Sequence, residues 1–373
     1  MSRFLFAVKQ KPSARVRYTD IKSFGNHAVA LKEDFTIWTW GNNQYGQLGD
    51  NTTTSQLLPV QIAGSPRSYT TIDCGANHSL AIDSNNVAWA WGNNQNGQLG
   101  DNTNTSRLTP VSIVGGNIFL NISGGETHTL AIDNTGDGVG VVYSWGSNTY
   151  GELGNNNNTN LSSPISIATI KLNRIVSAGK NYSLMLDADG VGFAWGYNNK
   201  GQLGDGTTTS RLTPVSIIYL DKTFSEISAN SDFNVAYDNL NAGWAWGNND
   251  VGQLGDDTLV SKLSPVFVNR SEVSFISITN GDAHSLAVDI DGNLWVWGKN
   301  NLGQLGDNTT TSKTIPTAIF VTNTTFTKVA AGNEVSYALD TNGRIWAWGS
   351  NSFGKLGINA ATTESRLTPT LVG

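Results

Sequence analysis

The chain has 373 residues, of which only 14% are charged, with a net charge of −6 and a pI near 5.2. So acidic and charge-poor a chain lacks the basic face that gripping nucleic acid requires, and the single cysteine, Cys74, excludes an internal disulfide framework. No apolar run approaches the length of a transmembrane helix, so membrane insertion is not expected.

The first 17 residues stand apart. Arg3, Lys9, Lys11, Arg15 and Arg17 place five positive charges there and no acid. Phe4–Val8 is too short for the apolar core of a signal peptide and has no convincing cleavage site, so a cytoplasmic or particle-associated protein is expected. Residues 1–17 read as a strand and a solvated linker around Pro12, and residues 18–373 as one domain.

From residue 18 onward the chain repeats. Trp38-Thr39-Trp40-Gly41 leads into Gly46-Gln47-Leu48-Gly49-Asp50, and the first glycine of that tract returns as Gly92, Gly146, Gly196, Gly247, Gly298 and Gly349. A fixed period near 51 residues is the mark of a repeat architecture. Each Trp-Gly tract follows a second motif, such as Gly75-Ala76-Asn77-His78-Ser79-Leu80-Ala81-Ile82-Asp83. Its large–small alternation after the histidine reads as a strand. A turn comes next, for example Asp289-Ile290-Asp291-Gly292, in which Asp and Gly accept left-handed backbone. The following strand carries two large rings on one face, since side chains two apart share a side. All 12 tryptophans lie there, with Trp40, Trp91, Trp145, Trp195, Trp246, Trp297 and Trp348 at the second position, and Tyr143 and Phe193 at the first position of two copies. A Thr/Ser-rich loop then reaches a proline (Pro59, Pro110, Pro265), expected at the first residue of another strand or on a sheet edge.

Four short strands per copy and seven copies predict an all-β, seven-bladed β-propeller of four-stranded blades. The last copy ends at Gly373, so Arg3–Val8 is expected to close the ring as an extra strand at the seam.

Candidate chemistry is sparse. His27, His78, His128 and His284 occupy one repeat position and therefore sit on different blades, too far apart to share a metal ion. They read as scaffold, as do the tryptophans. The Asp-x-Asp-Gly turns lack the further acidic ligands of a calcium loop, and neither a nucleophile elbow nor a phosphate-cradling loop occurs. No catalytic residue, metal or cofactor is expected. The positions where copies disagree are more informative. The residue before Gly-Gln-Leu-Gly is Tyr45, Asn96, Tyr150, Lys200, Val251, Leu302 or Phe353. Of these, Tyr45, Tyr150, Lys200, Leu302 and Phe353 form a candidate partner-binding rim, unless they pack on the next blade. Other departures are Gly154–Asn158, a lengthening at Asp137–Gly140, and Lys355 and Ile358 in the last copy.

Gly-x-x-His-Ser/Thr-Leu-Ala followed by Trp-Gly-x-Asn-x-x-Gly-Gln-Leu-Gly resembles the regulator of chromosome condensation repeat family over nearly the whole chain. The resemblance implies a seven-bladed propeller and leaves activity open, because members include a small-GTPase exchange factor, a plant UV-B photoreceptor and a bacterial β-lactamase inhibitor. The chain has no lysine-rich tail and no long wedge insertion, and where the photoreceptor has tryptophans it has Asn26, Asn77, Thr127, Asn181 and Ala283. The expectation is a bacterial or phage-like member: a non-enzymatic scaffold that binds a protein partner through a loop face. The alternatives are a structural component of a phage particle or cell surface, assembled into a larger particle, and a guanine nucleotide exchange factor.

Overall fold

The computed structural model describes residues 17–373 apart from 65–66, 134–139, 168–172, 220–222, 269–271 and 359–363. Its repeat is seven antiparallel sheets of four strands, each sheet made from consecutive chain. Blade 1 comprises Tyr18–Ser23, His27–Lys32, Ile37–Gly41 and Gln56–Gln61. Blades 2 to 7 begin at Tyr69, Phe119, Asn173, Phe224, Phe275 and Phe326. This is the propeller expected from the repeat.

The innermost strand lines the axis. In Tyr69–Cys74 the chain buries Tyr69, Ile72 and Cys74 and turns Asp73 toward the axial cavity. The second strand, such as His78–Asp83, is buried throughout because blades cover both of its faces, which is why Leu80 and Ile82 alternate with small residues. On the third strand the second tryptophan is fully buried in every blade, whereas the first aromatic is half-buried at the periphery. The fourth strand is the sheet edge. Its proline lies at the fourth residue, not the first: Pro59 falls in Gln56–Gln61, where the pairing slips between Thr39↔Val60 and Gly41↔Gln56. An edge position beside an irregularity tolerates the missing N–H and discourages pairing with another chain.

Because strands alternate in direction, one face of the disc collects the Gly-x-x-His loops and Gly-Gln-Leu-Gly turns, here called the turn face. The other collects the Asp hairpins and the links between blades, the hairpin face. The core is divided among the joints. Val29, Leu31 and Ile37 of blade 1 meet Ile72, Ala81 and Trp91 of blade 2, for example.

The seam between blades 7 and 1 shares the apolar core and the backbone links of the other joints. Ile21, Ala28 and Trp40 pack against Tyr337, Leu339 and Leu356. Tyr18 N–H donates to Gly343 O at 3.0 Å, as Phe326 N–H does to Gly292 O at 2.9 Å one blade earlier. Asn333 N–H donates to Gly25 O at 2.8 Å on the turn face. Blades 1 and 7 each hold four strands of their own. The expected pairing of Arg3–Val8 lies outside the described residues.

Candidate interaction faces

The repeated polar residues are committed to holding blades together. His27 Nε2 lies 2.8 Å from Ser79 Oγ of the next blade, His78 3.1 Å from Thr129, His128 2.9 Å from Ser183 and His284 2.9 Å from Ser336. Each hydroxyl donates its one proton to the backbone oxygen of Gln47, Gln98, Glu152 or Gln304, at 2.6–2.8 Å. The histidine must therefore donate from Nε2, which fixes the neutral tautomer and leaves Nδ1 bare. Burial pushes these imidazoles down, His27 to about 4 and the other three to about 3. The glycine of Gly-x-x-His exists for the ring: a Cβ on Gly75 would stand 2.2 Å from His78 Cε1 and 2.1 Å from Gly125 O. The same turn oxygens accept the buried indole N–H of the next blade, as Trp91 to Gln47 at 3.0 Å and Trp246 to Gln202 at 3.0 Å.

The acidic turns are equally occupied. Asn94 Nδ2 sits among Asp101 Oδ1 and the oxygens of Thr103 and Thr105 at 3.0–3.3 Å, and its own Oδ1 accepts Leu99 N–H at 2.9 Å. An amide thus fills the oxygen cage that a cation would use. Asp101 Oδ2 takes Arg107 at 2.6 Å. In the third copy Asn155 replaces the aspartate and keeps the same bond, from Asn148 Nδ2 at 3.0 Å. On the hairpin side, Asp83 accepts Asn85 and Val87 N–H at 2.9–3.0 Å and the Trp89 indole at 3.0 Å.

The rim residues lie on the turn face, above the outer strand of the neighbouring blade, where a Cβ on Gly46 would touch Leu108. Tyr45, Lys200 and Leu302 are half-buried. Lys200 pairs with Asp250 at 3.3 Å. Tyr150 is 39% exposed, with its ring 4.5 Å from that of Tyr197 on the next blade. Phe353 is the outlier, 48% exposed with φ at 61°. Elsewhere the Gln or Glu side chain accepts the N–H of the rim residue, as Gln47 does from Tyr45 at 2.9 Å. Lys355 cannot accept, so the turn recoils into the 3-10 segment Ser352–Gly354. The five rim residues therefore surround the disc rather than converge.

An apolar surface that the repeat pattern does not mark lies on the hairpin face. Leu240 is 70% exposed, Ile290 66% and Phe320 80%, and Phe35 and Ile218 also stand above half. Leu240 and Ile290 are at hairpin tips and Phe320 follows the outer strand of blade 6. Backbone bonds from Phe275 to Asn241, Ile290 to Ser274 and Phe326 to Gly292 join these hairpins and links into one row across blades 5 to 7.

Between the faces runs an axial cavity of about 450 Å³. Burial would lower the Lys22 ammonium there, but Asp20, Asp73 and Glu226 carry it above its ordinary value. Burial raises the Asp73 and Glu226 carboxyls, each opposed chiefly by Lys22. Cys74, at the end of its strand, has a thiol held well above its usual range by burial and then by Asp73. Among the described residues no three His, Cys, Asp or Glu side chains are placed to hold a metal ion, and no helix is long and apolar enough to cross a membrane.

Blades whose polar repeat residues bind one another define a repeat propeller. The chain matches the RCC1-like domain over residues 6–236 and the regulator of chromosome condensation (RCC1) repeat over 244–288, 291–339 and 342–373. It belongs to the RCC1-like repeat family. It is similar to the ultraviolet-B receptor UVR8 of Arabidopsis thaliana, 28% identical over 92% of this chain and 80% of that protein. It is also 25% identical to part of the human E3 ubiquitin-protein ligase HERC2, over 87% of this chain but 6% of that protein's length. Yeast RCC1 (Prp20), solved bound to Kap60, has the same fold, with a TM-score of 0.79 at 21% identity over 100% of this chain and 91% of that one. These relatives are eukaryotic, so the expected bacterial or phage affiliation finds no support among them.

Proposed function

We propose that this chain is a non-enzymatic propeller that holds a protein partner on its hairpin face, in the sector of blades 5 to 7. The observation that carries this reading is the row of Leu240, Ile290 and Phe320, large apolar side chains left 66–80% exposed on hairpins and a link that backbone hydrogen bonds join. Solvent-facing side chains of this size on one face suit burial against another protein. Two further facts support a binding role: the buried histidines spend their Nε2–H on a neighbouring hydroxyl and keep Nδ1 sealed from solvent, and the yeast relative is solved in complex with a protein.

The test replaces Leu240, Ile290 and Phe320 together by Ser and measures partner capture from native lysate beside the Tm. Because the three are exposed, the Tm should hold within a few degrees while capture falls at least tenfold. A second variant replaces Tyr45, Tyr150 and Phe353 by Ala and should retain capture. If only that variant loses the partner, the turn-face rim is the site. If neither variant loses it, the hairpin-face assignment fails; if the unaltered chain captures no partner, the protein-binding reading fails.

A further inference from the structure

At six joints the backbone oxygen of the turn receives two donors from the next blade. One is the second tryptophan, and the other is the side chain after the histidine position: Ser79, Thr129, Ser183, Asn234, Ser285 or Ser336. At the seam that second residue is Ala28, which has no polar atom to offer. The turn residue is Lys355, whose oxygen accepts the Trp40 indole at 3.0 Å and, in place of the absent hydroxyl, the Tyr337 hydroxyl. Tyr337 occupies a position that is Leu80, Leu130, Leu184 or Leu286 in four other copies. It belongs to blade 7, so blade 7 satisfies its own turn. Val335 stands where a histidine would need the hydroxyl that Ala28 lacks.

We infer that Ala28, Val335, Tyr337 and Lys355 form a private lock, four matched departures that fit blade 1 to blade 7 and not to a histidine-bearing blade. Set against any of blades 1, 2, 3 or 6, Ala28 would leave a buried histidine N–H and a turn oxygen short of a partner. Set against blade 7, a serine-bearing blade would bring a hydroxyl to an oxygen already filled. The lost inter-blade bonds are replaced by others. Lys355 Nζ donates to Asn26 Oδ1 of blade 1 at 3.2 Å, and the Trp40 and Tyr337 rings meet edge-on at 6.1 Å. The lock fixes which blades meet when the ring closes.

A double-mutant cycle on the full chain tests this directly. Tyr337→Phe removes the hydroxyl and keeps the ring, and should lower the Tm. Ala28→Ser in the unaltered chain should lower it too, because the new hydroxyl finds the Lys355 oxygen occupied. In the Tyr337→Phe background the same Ala28→Ser change should raise the Tm and recover more than half of the loss. Ser183→Ala at a regular joint, combined with Ala28→Ser, should show no such recovery. An Ala28→Ser effect of the same sign in both backgrounds, or a Tyr337→Phe change without cost, would overturn the proposal.

Discussion

At the scale of single residues, the repeated polar side chains are committed to bonds between blades. Ser183 accepts from His128 and donates to Glu152 O at 2.7 Å, all of it buried. Ser183→Ala should cost about 1–3 kcal/mol, since it strands a buried donor and removes one donor from the carbonyl, and chemical denaturation would measure it. Gly75→Ala should be worse, about 3 kcal/mol or more, because the added carbon meets backbone at 2.1 Å and cannot be accommodated by a rotamer change. The need for glycine before the histidine could be seen as a pattern in the sequence. Its cause could not, since the cause is a ring folded back over that glycine.

At the scale of the element, the turn between the third and fourth strands holds itself. Asn198 Nδ2 reaches Asp205 Oδ1 at 3.1 Å and the oxygens of Thr207 and Thr209 at 3.1–3.4 Å, while its Oδ1 takes Leu203 N–H at 2.9 Å. Asn198→Ala should therefore destabilise by about 2–3 kcal/mol and make the adjoining amides exchange faster, which hydrogen exchange would show. The second and third strands were legible because paired rings mark them in every copy, with a histidine in four of the seven. The first strand was not, because its residues toward the axis vary freely: Asp73, Ser123, Ser177, Ser228 and Thr279 share only polarity. The proline was read as a strand start or an edge position because both tolerate it equally, and the pairing decides for the edge. Leu240 and Ile290 were missed because an apolar residue beside a buried strand looks like core until the turn is seen to point outward.

At the scale of the molecule, ring stability should be acid-sensitive through the histidines. Their folded values lie near 3 to 4 against 6.5 unfolded. Below about pH 6.5 the unfolded chain binds protons that the folded chain refuses, so stability falls as pH drops toward 4 and is flat above 7. At pH 5 each histidine accounts for about 2 kcal/mol. The Tm should decline steeply between pH 6.5 and 4, and His128→Gln should make that decline shallower. A Tm independent of pH across this window would mean the rings are not buried as neutral donors.

On the proposed function, the repeat residues make the disc while the hairpin face meets the partner. A photo-crosslinking amino acid at Leu240, at Tyr150 or at Pro59, exposed to native lysate, reads this most directly. A discrete protein adduct from position 240 and none from positions 150 and 59 is the predicted result. An adduct from position 150 alone, or from none of the three, would contradict it.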